Sequence, residues 1–518
     1  MNLRCIALVL LIEILQVVPL KARAADGAAT QIVGMDHQFK PEGTRVQNNQ
    51  DYVLEIVGLG VTFEKYRQGA LWSELAKGDA YSSLRETDPK KYPWSVGDKH
   101  VSSGTRACHA LYNGGYHMPE YWGVPSFYAS TPDLDPSDQP SNTKPVIGLA
   151  GCGETNGMGW HLFISGEWAL AERPDRLLEQ VFDFFDSHPD VPLVVLSAAD
   201  STSLRHLKRA PNSPRLITEG HYVPSWPDAA AVLVLARRDR VDAIRHFAWD
   251  DPKNDFGQEK LRMMYYQLKR TVPYPPRERW PEQHLERYPT VAEWEAASAS
   301  FAKRSDIRDG WGTYKLTSKW KPTPWFPVPW SHEQLAAFDR LPTLGYLHRP
   351  VFVKMINDRG EPLTRRADRE AALQKGWQQA ALAVPKEARN TLPSRVIVGA
   401  DNNTDQLVMF HSLLRQITAE GGPEFDPNKH LQFIDTDRRL NNTGAATFFM
   451  QIAIGVLGSY REGGISAAFN LRDPNEASII LVSPAPDDKR TSQRHPAGGD
   501  VFRHKVEPLD DPRVYEQK

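Results

Sequence analysis

Cysteine is scarce in this chain of 518 residues, with three in all. Cys5 falls in an apolar run at the N-terminus, so the rest holds only Cys108 and Cys152. That excludes a cysteine-rich scaffold or a four-thiolate zinc site and permits one disulfide at most. Net charge is nearly absent as well: 62 Lys and Arg against 64 Asp and Glu leave −2, so no overall field draws the chain to nucleic acid. Beyond the N-terminus no run is apolar enough to span a bilayer. Gly58-Leu59-Gly60 lacks the third glycine and the acidic follower of a dinucleotide site, and neither a Walker lysine motif nor a Gly-x-Ser-x-Gly elbow occurs. His332-Glu333 is followed by Ala336 where a zincin needs its second histidine, and His206, His221, His246 and His348 are scattered without ligand spacing. The expected cofactor and metal complement is therefore none.

What is abundant is proline, at 40, and tryptophan, at 14. Proline favours loops and tryptophan is enriched at contact surfaces, so a loop-rich chain with aromatic packing is expected. At the N-terminus Arg4 precedes the apolar run, and Ala22-Arg23-Ala24 has the small-x-small form of a signal peptidase site. Residues 1–24 thus read as a signal peptide or membrane anchor. Glu13 within the run, and the run's shortness, weigh against a spanning helix. Residues 25–50 read as a flexible polar arm.

From residue 51 a strand–helix rhythm begins. Residues 53–57, 146–150, 191–198 and 229–236 are apolar strand candidates, and the last two are continuous rather than alternating, as in a sheet covered on both faces. Pro174-Asp175 opens a helix whose Leu177, Leu178, Val181, Phe182 and Phe185 follow the helical repeat. Tyr66, Ala70, Leu71 and Leu75 suggest another helix, following the first strand. An α/β architecture follows, in which 51–250 form an N-terminal half and 343–518 a C-terminal half. In the second half, residues 344–355 and 395–400 read as strands, 366–383 as a helix, and Phe448, Phe449, Ile452, Val456 and Leu457 as a helix apolar over most of its circumference, buried between layers. Between the halves, 251–342 form a Pro/Trp-rich insert. Its Trp320, Trp325 and Trp330 alternate with prolines that favour extended geometry. They read either as a strap packed on the core or as anchors for a partner.

The stretch 435–471 resembles the histidine loop and following buried helix of the thiolases and ketoacyl synthases, without the histidine. Where those enzymes present an imidazole, this chain has Leu440-Asn441-Asn442-Thr443-Gly444-Ala445-Ala446. The strand at 396–404 resembles the one that ends in their first catalytic histidine, and Asp401 takes that place. An amide cannot take up a proton near neutral pH and hold it as a general base must. The neighbourhood where the nucleophilic cysteine would stand reads Glu167-Trp168-Ala169-Leu170. The resemblance implies a thiolase-like, layered, pseudo-duplicated core with a degenerate active site at Asp401, Asn441 and Asn442.

A more specific resemblance runs through Val181-Phe182-Asp183-Phe184-Phe185-Asp186-Ser187-His188-Pro189, Gly220-His221-Tyr222-Val223-Pro224, Leu344-Gly345-Tyr346-Leu347-His348-Arg349-Pro350 and Arg438-Arg439-Leu440-Asn441-Asn442-Thr443-Gly444. Together these resemble the type VI lipase adapter family of Gram-negative bacteria. The resemblance implies a non-enzymatic role: binding a phospholipase effector and loading it onto a VgrG spike through the spike's transthyretin-like extension. It also implies action in the cytoplasm; the export-like N-terminus departs from that, and an inner-membrane tether with the adapter facing the cytoplasm reconciles the two, the alternative being the periplasm after signal cleavage. The competing enzymatic reading is an exported acyl-transfer enzyme of thiolase-like fold, with Cys152 in Gly151-Cys152-Gly153-Glu154 as an activated thiol.

Overall fold

A computed structural model describes residues 53–504, apart from 130, 132–157, 167–172, 210–212, 252, 254, 275–282, 312–313, 386–388, 390 and 427–428. The first half contains β1 (Leu54–Phe63), β2 (Tyr66–Arg67), α1 (Gly69–Lys77), α2 (Val96–Gly115), β3 (Trp122–Ala129), β4 (His161–Ser165), α3 (Pro174–Ser187), β5 (Leu193–Asp200), α4 (Thr202–Leu207) and β6 (Ala229–Ala236). Between the halves lie a two-stranded sheet of β7 (Arg270–Tyr274) and β8 (Gln283–Arg287), then α5 (Val291–Ala302) and α6 (His332–Asp339). The second half runs β9 (Gly345–Leu347), β10 (Val351–Lys354), α7 (Arg366–Leu382), β11 (Arg395–Gly399), α8 (Thr404–Ala419), β12 (Phe433–Asp435), α9 (Thr436–Leu440), α10 (Thr447–Glu462), β13 (Ser466–Asp473) and β14 (Glu476–Pro484).

Twelve strands form one sheet, ordered β12-β11-β13-β14-β9-β1-β6-β5-β3-β4, with β10 beside β14 and β2 beside β1. The order contains its own repeat. Numbering the five main strands of each half as they occur, both halves are arranged third, second, fourth, fifth, first. In both, the second strand pairs in parallel with the third and the fourth, while the fifth is antiparallel to its two neighbours. The halves meet where β1 and β9, their equivalent first strands, pair antiparallel through Leu54 with Leu347 and Ile56 with Gly345. Antiparallel pairing of equivalent strands is what a local two-fold produces. The fold is thus the thiolase-like duplicated α/β core.

Physical causes for this layering are legible strand by strand. All eight residues of β5 and all eight of β6 are buried, matching their continuous apolarity. Helix α10 buries fourteen of its sixteen residues and packs on β11, β13 and β14 of its own half and on β6 of the other. Each Phe, Ile, Leu or Val so buried contributes about 1.5–3 kcal/mol. On the first strand, Gly58 and Gly60 let α2 lie against the backbone: a Cβ at Gly60 would stand 1.7 Å from Ala110 O and one at Gly58 2.2 Å from Gly114 O. These glycines serve packing, which is why the pair lacks the rest of a nucleotide motif. Charged side chains of the α3 region clip the halves together: Arg173 reaches Asp473 at 3.0 Å and Glu476 at 2.9 Å, and Arg349 reaches Glu179 at 2.9 Å.

Some local expectations need correction. Tyr66 belongs to the short β2, and the helix after it begins only at Gly69. The single strand expected over 344–355 is two, because the chain turns away at His348-Arg349-Pro350 between β9 and β10. The strand expected at 146–150 lies outside the described residues, as do residues 1–50.

Candidate functional site

The ends of β11 and β12 bring together the positions singled out in the sequence. After Gly399 the chain turns through Asp401 and Asn402, both left-handed (φ 53° and 58°). Such backbone persists in non-glycine residues only when its surroundings over-determine it. Asp437, buried on α9, supplies that constraint: its Oδ2 accepts from the N–H of Ala400 at 2.7 Å and of Asn402 at 3.4 Å. Helix α9 itself starts where Asp435 accepts from the N–H groups of Asp437 and Arg438, and stops at Asn441, again left-handed at φ 61°.

Asn442 then reaches back across the gap. Its Nδ2 donates to Asp401 Oδ1 at 2.8 Å, and its Oδ1 accepts from Gly444 N and from Arg472 Nη2, each at 2.8 Å. Arg472 closes the network by donating to Gly444 O at 2.8 Å and Thr447 Oγ1 at 2.6 Å, and stands 3.7 Å from the Asp401 carboxylate. Asn441 contributes through its backbone turn. The first half pins the arrangement from below: Asp200, at the end of β5, takes a bidentate pair from Arg205 (2.9 and 2.7 Å) and accepts from Ala445 N at 2.8 Å. Gly444 is obligatory there, since its φ is +57° and a Cβ would fall 1.8 Å from Asp200 Oδ2.

Electrostatically the carboxyls beneath the loops are set by burial. Desolvation pushes Asp200, Asp435 and Asp437 above the usual carboxylate range, against the pull of Arg205 on the first and of N–H donors on the other two. The bonds described join a carboxylate, a carboxamide and a guanidinium in a mutually satisfied set. Neither the carboxamide nor the guanidinium exchanges a proton near neutral pH, which leaves the Asp401 carboxylate as the one group of the three able to accept a proton. Arg472, Asp437, Asp200 and Arg205 were not singled out in the sequence; the only available signal was their place at or just beyond the ends of buried strands.

A second polar centre, also unforeseen, lies between α2, α4 and the 217–228 segment. Arg106 on α2 pairs with Asp228 at 2.6 Å and with the buried Glu64 at 3.4 Å, and the Tyr92 hydroxyl stands 3.3 Å from Glu64. Burial pushes the Glu64 carboxyl up to about 7, with Arg106 opposing. Nearby, the Lys99 ammonium donates to the carbonyls of Trp94, Thr218 and Gly220 at 2.7–2.8 Å.

Trp320, Trp325 and Trp330 are placed in the interior, not on the surface. They are 6%, 1% and 1% exposed. Trp330 packs edge-on against Trp122 and beside Phe338, Trp320 against Phe247, and Trp325 near Phe184, with its backbone N–H bonded to Asp190 Oδ2 at 3.1 Å. Rings consumed by intramolecular packing offer no anchor to a partner, so the strap is the reading that the packing supports. Cys108, on α2, is disulfide-bonded. Cys152 and the 167–170 neighbourhood lie outside the described residues. Among the described residues no group of His, Cys, Asp or Glu could hold a metal ion, and no helix is long and apolar enough to cross a membrane.

Comparison with known proteins adds two findings. Residues 52–219 match the family model described as Type VI lipase adapter protein Tla3, N-terminal, and residues 344–484 match its C-terminal counterpart, together more than half of the chain. Among solved structures, the chain is similar to the oxazolomycin ketosynthase domain OzmH KS8 of Streptomyces albus JA3453, at 9% identity and a TM-score of 0.37, covering 86% of this chain and 100% of that one. It is also similar to the 3-oxoacyl-[acyl-carrier-protein] synthase III of Aquifex aeolicus VF5, at 10% identity and a TM-score of 0.32, covering 83% and 99%.

Proposed function

The chain belongs to the type VI lipase adapter family, and from that premise we propose that it is a non-enzymatic adapter that binds a phospholipase effector and loads it onto a VgrG spike. The observation that carries this reading is that the family match falls on both halves of the duplicated core, leaving out the insert between them. Supporting the non-enzymatic part is the chemistry at the paired loops. By the resemblance to thiolases and ketoacyl synthases, Asp401 and either Asn441 or Asn442 take the places of that fold's catalytic imidazoles, and Asp401 and Asn442 are tied into internal hydrogen bonds. The test is affinity purification of the tagged full chain from a native lysate under mild conditions. A large α/β-hydrolase and a spike protein are expected to co-purify; recovery of neither overturns the proposal.

The compartment admits two readings. The adapter role calls for the cytoplasm, with residues 1–24 as an inner-membrane tether. The disulfide at Cys108 favours the other, export, because such bonds persist in oxidising compartments. Thiol labelling in intact cells separates them: unlabelled cysteines before reduction point to export, full labelling to the cytoplasm.

A further inference from the structure

A cleft of about 370 Å³, the open space at its mouth included, lies between α2, α4 and the segment 217–228. Tyr92, Pro93, Ile217, Tyr222 and Pro224 give it apolar walls, and Lys99, Ser102 and Arg106, on successive turns of α2, give it a polar side. The charges there are already answered. The Lys99 ammonium gives its three N–H donors to the carbonyls of Trp94, Thr218 and Gly220, and Arg106 pairs with Asp228 and Glu64. The cleft therefore calls for no ion. Its other hydroxyls are engaged as well: Ser103 donates to Ser201 Oγ at 2.8 Å, Thr202 to Trp226 O at 3.0 Å and Tyr92 to Glu86 O at 2.9 Å, Ser203 meets His100 Nδ1 at 2.5 Å, and Tyr222 accepts from Thr218 N at 3.0 Å. Ser102 is the exception: it is 2% exposed, and its hydroxyl has no partner among the described residues. Ser298 and Ser478 are unpartnered in the same sense, but neither lines the cleft.

Apolar walls, one open hydroxyl and no spare charge define the group that fits: a flat, neutral body with a single polar atom at its tip. A phenol has that form. A phenylalanine ring leaves the serine hydroxyl unanswered, and a Lys or Arg head brings a charge for which the cleft keeps no counter-ion. Next in sequence to the wall residues Tyr92 and Pro93 stands Trp94, 56% exposed and set edge-on to His221 with ring centroids 5.1 Å apart. An exposed tryptophan beside an aromatic-walled cleft is the kind of surface on which a partner's anchoring side chain is buried.

We propose that this cleft takes a tyrosine side chain of the bound effector protein, its ring against the apolar walls and its hydroxyl on Ser102, with Trp94 covering the backbone that flanks it. The inference rests on the adapter reading, since it names the anchor by which the effector is held.

The experiment has two arms, both on the full chain. In the first, N-acetyl-tyrosinamide, its O-methyl ether and N-acetyl-phenylalaninamide are titrated by calorimetry. The tyrosine probe is expected to bind saturably and about tenfold more tightly than the other two, and Ser102→Ala to remove that preference without weakening the phenylalanine probe. The O-methyl comparison is made on the wild type and needs no variant. In the second arm, capture of a candidate type VI phospholipase effector is compared between the wild type and Ser102→Leu, which fills the cleft, with thermal melts as the check on folding; a loss of about tenfold or more is expected. Tyr222→Ala, which removes a wall, replaces Ser102→Leu should that variant not fold. No binding of the tyrosine probe, or equal binding of all three by the wild type, overturns the proposal and leaves the adapter reading standing. Undiminished capture by a folded cleft variant also overturns it, and makes the cleft a site for a free phenolic molecule. Absence of capture by the wild type overturns the adapter reading itself, and this inference with it.

Discussion

The two halves repeat a strand order but end their strands in different chemistry. In the first, Arg106 gathers Glu64 and Asp228 within the protein, where desolvation dominates and lifts Glu64 to about 7. In the second, Arg472 gathers Asn442, Gly444 O and Thr447 near the surface, with its own side chain 23% exposed and Asp401 51% exposed. The lesson is that a duplicated backbone sets where polar groups converge, while burial sets whether they titrate. One half holds a group that changes charge near neutral pH; the other holds a network built around an amide and a guanidinium.

Asp200 ties the end of β5 in the first half to the Gly444–Ala445 turn of the second, so removing it is expected to be the most disruptive change. Asp200→Ala leaves the Arg205 guanidinium and the Ala445 N–H without their acceptor, and should cost about 3–5 kcal/mol in urea denaturation. A smaller penalty, about 2–3 kcal/mol in the same assay, is expected for Gly444→Ala, which combines a left-handed backbone with a steric conflict at Asp200. Arg472→Met removes donors that are partly solvated and should cost about 1–2 kcal/mol.

For Glu64 the expectation is a slope in pH. Its folded-state pKa of about 7 lies above the unfolded 4.5, so the folded protein holds the proton more tightly. The contribution is fully present below pH 4.5 and is lost as pH rises through 7. Glu64→Gln is expected to flatten the fall in stability between pH 5 and about 7.5 measured by thermal melts, and an unchanged profile would show that burial at this centre has no titrating consequence. The smallest effect is reserved for the second half. Asp401→His with Asn442→His removes the bonds that Asn442 makes to Asp401, Gly444 N and Arg472, should cost about 1 kcal/mol, and is expected to yield no acyl-thioester hydrolysis.

Much of the fold could be read from continuous apolarity. β5, β6, β11 and α10 are buried on all sides, and their residues say so without help from neighbours. Helix α2 escaped because its inner face is polar: Lys99, Ser102, Ser103, Thr105, Arg106 and His109 are buried, so no apolar stripe announces it. β3 carries Gly123 and Pro125 and reads as a loop for the same kind of reason. At the paired loops, Asp401, Asn441 and Asn442 were legible through local sequence. Arg472 and Asp200 were not, because partners 30 and 245 residues away are joined only by the folded sheet. The tryptophans of the strap show the converse, since composition marks them as packing residues without saying which surface receives them.

The most direct measurement of the central claim puts the purified full chain in one assay with a candidate type VI phospholipase effector and, separately, with acyl-thioester substrates. The expected result is stable capture of the lipase, unaffected by Asp401→Ala with Asn442→Ala, and no thioester turnover above buffer. Turnover abolished by that double change, with no lipase bound, would contradict it.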